Sequence, residues 1–281
     1  MPSTRELVGM NVLTLAFLTS NTSSFRAQKF FNYSVPERRR IVNLYHSKGI
    51  SLFLSTFGGD PNEQPVTQNF NPTMLGDLHG EIAYKSGFDG LDNDIEDFEA
   101  FSWHNKSLVT WVSMYTEAVR RWLPASGGFG MSAAPVAPWF TPNRTTYCHG
   151  AYDGIDKQVG HLYDFYNVQF YNQGVGSYDD CKNLLFKSNL TAFPQTSIFE
   201  IARNGVPLDK LLIAKPGYPV DAASGYVPPE KLSYCLHLAK NNGWKAGAAS
   251  WQFPHASTQW WRELRMDSFY DESLFAKRPI D

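Results

Sequence analysis

The segment from Phe88 to Phe98 reads FDGLDNDIEDF and places acidic side chains inside a run that also carries large apolar ones. Side chains of an extended strand alternate between two faces, so Asp92, Asp94 and Glu96 share one face. Three carboxylates about 7 Å apart or less in a low-dielectric interior cannot all stay ionised, so at least one holds a proton. We expect a raised pKa at the outermost, Glu96, as a general acid working near neutral pH requires.

Two other interpretations of this segment compete with catalysis. A calcium-binding loop that began at Asp92 would need glycine at its sixth position, where Asp97 stands. A solvated edge strand would suit alternating charges, but Gly87, Gly90 and the flanking aromatic residues indicate close packing. The pattern therefore favours a buried catalytic strand.

Short apolar segments alternate with amphipathic ones along the chain. We predict strands at Met10–Leu18, Ile50–Phe57, Phe88–Glu96, Gly128–Ala134, Phe165–Gln173, Lys210–Gly217 and Lys245–Phe253. We predict helices after Ser34 as far as Gly49, and at Pro72–Ser86, Ser107–Leu123 and Pro229–Asn242. Strand–helix alternation predicts a parallel sheet closed into an α/β, TIM-type (β/α) barrel, with its chemistry at the carboxyl ends of the strands.

The chain reads as a single catalytic domain over residues 1–281, because its Pro/Gly-rich loops are short and follow strands. Seven strands are readable where a complete barrel has eight, and the nine residues before Met10 cannot hold another βα unit. We expect an incomplete barrel.

Composition excludes several other functions. The net charge of −2 and the pI near 6.4 give no reason to expect nucleic acid or an anionic membrane as a partner. No run of 18 apolar residues is present, so we expect no membrane span. The histidines show no metal-ligand spacing, and we predict no metal site and no cofactor. We expect a monomer.

Compartment is left open by the sequence. Val12–Leu18 resembles the apolar part of a signal peptide, but its alternation favours a strand, which leaves a cytoplasmic location by default. N-glycosylation sequons favour an extracellular protein whose leader has been removed; they begin at Asn21, Asn32, Asn105, Asn143 and Asn189. The cysteines make no metal-ligand spacing, and we expect buried free thiols at Cys148, Cys181 and Cys235.

DGLDNDIE, from Asp89 to Glu96, resembles the DGxDxDxE signature of glycoside hydrolase family 18, the chitinase and endo-β-N-acetylglucosaminidase family. Further segments are similar, in the right order, to those of its class III plant and fungal branch: TFGG (Thr56–Gly59), MSAAPVAP (Met131–Pro138), VQFYNQ (Val168–Gln173) and ASWQF (Ala249–Phe253). The likeness extends over nearly the whole chain. Matched in this way, Val12–Leu18 corresponds to the family's second strand, so the first is absent.

This resemblance implies a retaining glycosidase that works by substrate assistance. Glu96 would be the acid and base, Asp94 would orient the substrate's acetamido group with Asp92 behind it, and Tyr171 would bind the acetamido oxygen. Substrate-binding roles are implied for Asp89, Gln169, Asn172 and Trp251, with the tryptophan as the floor under one sugar.

The implied partner is a glycan that contains β-1,4-linked N-acetylglucosamine, either chitin and its soluble oligosaccharides or the chitobiose core of N-glycans. The alternative is a catalytically weak or inactive sugar-binding barrel of the same family. An unrelated sugar-phosphate enzyme would want a glycine-rich phosphate site, which PGYP at Pro216–Pro219 does not supply.

Overall fold

The computed structural model describes residues 1–19 and 25–266. Its sheet consists of β1 (Val12–Leu18), β2 (Ser51–Gly58), β3 (Gly90–Ile95), β4 (Gly130–Ala133), β5 (Phe165–Gln169), β6 (Leu211–Pro216) and β7 (Ala248–Trp251). Every strand is parallel to the next one along the chain, and the spatial order equals the sequence order. All seven predicted strands are confirmed; six have somewhat shorter bounds, and β2 is shifted by one residue at the same length.

Helices follow the strands. They are α1 (Phe25–Phe31), α2 (Val35–His46), α3 (Pro72–Ser86), α4 (Phe98–Ser102), α5 (Ser107–Trp122), α6 (Ala151–Val159), α7 (Ile198–Arg203), α8 (Pro229–Asn241) and α9 (Thr258–Arg265). Short 3-10 segments lie at Ala125–Gly127, Ala137–Phe140, Gly160–Leu162, Leu208–Lys210 and Pro219–Asp221, and a π-helical turn at Lys182–Phe186. The predicted helices correspond to α2, α3, α5 and α8.

Local sequence sets the ends of the predicted helices. Ser34 caps α2 by a reciprocal pair of hydrogen bonds with Glu37, which satisfies two backbone N–H groups that have no partner inside the helix. Asn71 caps α3, and Gly87 ends it at a φ of 85°, a left-handed conformation that favours glycine. These caps fix where each helix leaves the sheet.

The core lies between the sheet and its helices. α3 and α5 pack so closely that a Cβ built on Gly76 would lie 2.6 Å from the carbonyl oxygen of Tyr115. Apolar side chains of β2 and β3, Leu54 and Leu91 among them, are fully buried on this side. The rigid half of the sheet is therefore the one that carries the acidic segment.

An opening lies between β1 and β7. In the part of the chain that the structure describes, β1 pairs with β2 alone and β7 with β6 alone, so the barrel is incomplete, as predicted. The amino-terminal residues pack beside this opening: Leu7 is fully buried, Thr258 donates to the carbonyl oxygen of Glu6, and Arg265 donates to that of Gly9.

The expectation of free thiols was wrong for two of the three cysteines. Cys181 and Cys235 form a disulfide between the π-helical turn and α8, whereas Cys148 is a free, exposed thiol. The two partners are 54 residues apart in sequence, and only the packing of α8 beside the turn brings them together.

The sequon at Asn21 lies outside the described residues. No described helix is both long and apolar enough to cross a membrane.

Candidate active site

The acidic residues of β3 stand at the middle of the sheet. All six residues of this strand are buried, and β3 pairs with β2 on one side and β4 on the other. The Asp92 carboxylate accepts hydrogen bonds from Ser55 Oγ at 2.8 Å, Ser132 Oγ at 2.5 Å and Asn167 Nδ2 at 3.1 Å. Three neighbouring strands therefore hold this carboxylate in place.

Asp94 and Glu96 are joined by one amide. Gln169 Nε2 lies 3.1 Å from Asp94 Oδ1 and 3.1 Å from Glu96 Oε1, and it also donates to the carbonyl oxygen of Ala134 at 2.7 Å. Asp94 is buried, while Glu96 is half-buried at the carboxyl end of β3. The alternation predicted from the sequence thus gives one ladder of three acids that ends at the mouth of the barrel.

Burial raises the pKa values of all three acids. The pKa of Asp94 is raised well above its ordinary value by burial and then by the neighbouring carboxylates of Glu96 and Asp92. Burial also raises the pKa of Glu96, against hydrogen bonds from Gln169 and Asp94 that lower it. The pKa of Asp92 is raised by burial and lowered by its three donors. Asp94, between two acids, is therefore the protonated member at rest.

Two glycines at the carboxyl end of β2 bring the backbone against the site. A Cβ built on Gly59 would lie 2.8 Å from Glu96 Oε2, and one on Gly58 would lie 2.8 Å from the Phe17 ring. The loop that follows is held in place because the buried Asp97 carboxylate accepts hydrogen bonds from the backbone N–H groups of Val66 and Thr67. The TFGG segment thus packs directly on the Glu96 carboxylate.

A cavity of about 2030 Å³ opens beside the ladder. Asp94, Gln169, Tyr171 and Trp251 are among the residues that line it. Burial and the Asp94 carboxyl raise the pKa of Tyr171 well above its ordinary value, so its hydroxyl is a neutral donor. Trp251 is half-buried and stacks on Phe17, with 5.7 Å between ring centroids and 26° between planes. The two rings form a flat apolar wall.

Two of the predicted site residues lie elsewhere. Asp89 precedes β3 at its amino end, where its carboxylate accepts from the Leu52 N–H at 2.7 Å and lies 2.8 Å from His46 Nε2. The structure does not bring Asp89 to the other predicted site residues, because residue 89 and residue 96 lie at opposite ends of the strand; a substrate-binding role for Asp89 stays a prediction. Asn172 is exposed, and its side chain accepts from the Ala223 N–H at 2.8 Å, so it orders a loop.

Sequence reasoning missed the residues around the acids. Ser55, Ser132 and Asn167 contact Asp92, and Phe17 contacts Trp251. Asn167 had a signal, since it lies two positions before Gln169 and shares its strand face. The serines lie opposite Asp92 only through the strand register, which the sequence does not show.

The arrangement can move a proton at its outer end and hold a neutral acid behind it. No group of three or more His, Cys, Asp or Glu side chains within the described ranges could hold a metal ion. The chemistry available from these residues is therefore general acid–base catalysis beside an apolar, aromatic wall.

Comparisons with known proteins agree with this geometry. No protein-family model matches the chain. A chitinase from Enterococcus faecalis is 25% identical over 229 residues, which span 77% of this chain and 63% of that relative. Among solved structures, a family 18 chitinase from Pseudoalteromonas aurantia has a TM-score of 0.72 at 22% identity, covering 92% of both chains. A class V chitinase mutant from Cycas revoluta, in complex with (GlcNAc)3, has a TM-score of 0.62 at 14% identity, covering 89% of this chain and 92% of that one.

These likenesses bear out the resemblance stated from the sequence, although the assignment to the class III branch stays a prediction. The signature segment that carries the resemblance is also the strand that holds the three acids. The chain has the (β/α)-barrel fold of the family 18 chitinases.

Proposed function

We propose that this protein is a retaining glycoside hydrolase that cleaves β-1,4 linkages next to N-acetylglucosamine. The observation that carries this proposal is the ladder Asp92–Asp94–Glu96, buried at its base and half-buried at its end, with Gln169 bonded to both outer acids. A half-buried acid whose pKa is raised by burial suits protonation of a leaving-group oxygen. The chitinase fold supports a glycosidic bond as the target.

The reaction begins with protonation by Glu96. The proton that Asp94 holds at rest passes to Glu96, which donates it to the glycosidic oxygen; the bond from that oxygen to C1 breaks, and the substrate's acetamido oxygen bonds to C1. The resulting oxazolinium carries a positive charge beside the now ionised Asp94, which accepts a hydrogen bond from the acetamido N–H and balances the charge. Water then attacks C1 while the bond from C1 to the acetamido oxygen breaks; the water gives a proton to Glu96, and the product has retained configuration.

Tyr171 and Trp251 supply the substrate contacts in this scheme. The neutral hydroxyl of Tyr171 donates to the acetamido oxygen and holds it near C1. Trp251 lies under the apolar face of the sugar ring, with Phe17 behind it. Both line the same cavity as Asp94, so one N-acetylglucosamine unit can contact all of them at once.

Chitin or its soluble oligosaccharides are the favoured substrate class. The relatives reported above are chitinases, one of them bound to (GlcNAc)3, whereas the sequence alone left N-glycans equally open.

The Cys181–Cys235 disulfide favours an oxidising compartment, in agreement with the sequons, so we propose an extracellular location.

Hydrolysis of chitotetraose and of a high-mannose glycopeptide, followed by mass spectrometry of the products, tests the proposal. We expect products from chitotetraose, and we expect Glu96→Gln to lower kcat by about 10³-fold while oligosaccharide affinity persists, because only the proton is removed. Glu99→Gln on the exposed face of α4 is the matched control and should keep full turnover.

Three results would count against the proposal. Cleavage of the glycopeptide alone would replace chitin by the N-glycan core as the substrate. Binding of chitotetraose without turnover by the wild-type chain would favour the sugar-binding alternative. Full turnover by Glu96→Gln would remove Glu96 from the mechanism.

A further inference from the structure

A fully buried lysine lies behind the acetamido site. Lys215 is on β6, is 0% exposed, and is not among the residues that line the cavity. Its Nζ donates to the carbonyl oxygens of Phe170 at 2.7 Å, Tyr178 at 2.8 Å and Gly225 at 3.0 Å. Burial of an isolated charge costs free energy of folding, and three carbonyl acceptors around the ammonium offset that cost. This arrangement indicates that the lysine has a function at this position.

The three acceptors belong to the end of β5 and to the loops that follow β5 and β6, on both sides of Tyr171 in the chain or in contact with it. Phe170 is its chain neighbour, and Tyr178 ends the loop that leaves β5. Gly225 lies in the loop after β6 and touches Tyr171 directly, because a Cβ built there would lie 2.6 Å from the Tyr171 Cα. Gly225 has a φ of 91°, so both its conformation and this contact require glycine.

Other bonds tie the same segments only at their surface. Asn172 N–H donates to the carbonyl oxygen of Ser224 at 3.1 Å, and the Ala223 N–H donates to Asn172 Oδ1. Asn172 is exposed, so water competes for these bonds. Lys215 is the buried connection beneath them.

We propose that Lys215 is the positioning residue of Tyr171: its ammonium ties the ends of β5 and of both following loops, and so sets where the Tyr171 hydroxyl meets the acetamido oxygen. The role at the acetamido group rests on the proposed function, whereas the tie itself does not.

Protonation controls this tie. Burial lowers the pKa of Lys215 to about 7; the Asp179 carboxylate raises it and the Lys231 ammonium lowers it, and these are the charged groups that face Lys215. A neutral amine keeps two N–H donors, so one of its three carbonyl acceptors loses its hydrogen bond. The tie is therefore complete below pH about 7 and weakens as pH rises through that value.

Hydrogen–deuterium exchange tests the tie without reference to activity. In Lys215→Met, the amides of residues 172–178 and 222–226 should exchange about tenfold faster than in the wild type at pH 6 after correction for the intrinsic rate. Wild-type protein moved from pH 6 to pH 8.5 should show a smaller change in the same direction, which keeps the test available if the variant fails to fold. Unchanged exchange in these segments would overturn the proposal.

Kinetics on chitotetraose test the effect on Tyr171. Lys215→Met should lower kcat about tenfold at pH 6 with KM changed less than about threefold, since small misplacement of a catalytic contact is costly. Its ratio to the wild type should rise by pH 8.5 without reaching one, because the neutral amine of the wild type keeps two of the three hydrogen bonds. A ratio that stays constant across pH would contradict the positioning role.

Lys210→Met is the matched control. Lys210 Nζ also donates to two backbone carbonyls, those of Gly160 and Tyr163, but at the amino end of β6. Its loss should leave both the exchange of residues 172–178 and the pH dependence of kcat unchanged. If wild-type protein hydrolyses nothing, the proposed function fails, and the exchange measurement still decides whether Lys215 holds the segments.

Discussion

β3 and β7 both carry residues of the proposed site, yet they lie in different surroundings. β3 is at the middle of the sheet, bonded on both sides, and all six of its residues are buried. β7 is at the edge of the described sheet, and all four of its residues are half-buried. The first presents acids and the second presents an aromatic ring.

The difference follows from what each group needs. Buried acids with raised pKa values are held in place only where neighbouring strands supply donors, as Ser55, Ser132 and Asn167 do for Asp92. An aromatic floor needs only one accessible apolar face, which a strand at an opening can offer. The incomplete barrel therefore opens beside Trp251, while Asp92 and Asp94 stay buried.

The largest effect should come from Asp94→Asn at the centre. An amide cannot balance the charge of the oxazolinium, so kcat should fall by 10²- to 10³-fold, about 3–4 kcal/mol, in chitotetraose hydrolysis. The same change should stabilise the fold by about 1 kcal/mol at pH 8, because it removes a buried group crowded by Glu96 and Asp92.

The size of that stability change depends on pH. Burial raises the folded-state pKa of Asp94, so the wild-type fold has its full stability below the unfolded-state pKa, where the carboxyl is neutral. The contribution of Asp94 to that stability is lost as the pH rises through the folded-state pKa. Thermal unfolding should show the advantage of Asp94→Asn at pH 8 and none near pH 4. An equal advantage at both would contradict the buried-acid description.

Trp251→Ala should have an intermediate effect, on binding. Loss of the ring removes a stacking surface, and we expect KM for chitotetraose to rise about tenfold, or about 1.4 kcal/mol, with little change in Tm since Trp251 is half-buried. The control is Trp244→Ala: Trp244 is fully buried and donates to the carbonyl oxygen of Leu211, so its loss should cost about 3–5 kcal/mol of stability. Equal loss of stability in both variants would contradict the difference between Trp251 at the edge of the sheet and Trp244 in the core.

The sequence predicted the residues on the central strand β3 better than the contacts of the edge strand β7. The ladder on β3 was predictable because a period of two fixes which side chains share a face, and α3 was predictable because Gly87 marks its end. The contact of Phe17 with Trp251 and the Cys181–Cys235 disulfide were not, since each joins segments far apart in the chain. The place of Asp89 was not predictable either, because membership of a motif does not tell which end of a strand a residue occupies.

The smallest effect should come from Gln169→Met, which tests how a neighbouring amide sets the pKa of Glu96, the proposed proton donor. Hydrogen bonds from Gln169 lower the pKa of Glu96 and of Asp94, so their loss should raise both pKa values further. Glu96 would then stay protonated to higher pH, and the alkaline limb of kcat/KM should move upward, while the maximal rate falls less than about tenfold. Gln173→Met, which removes only a bond to the Gln169 carbonyl oxygen, should leave the limb in place. An unchanged alkaline limb together with an acid limb that moves upward in Gln169→Met would mean that Glu96 acts in its ionised form, and the proton would have to come from another group.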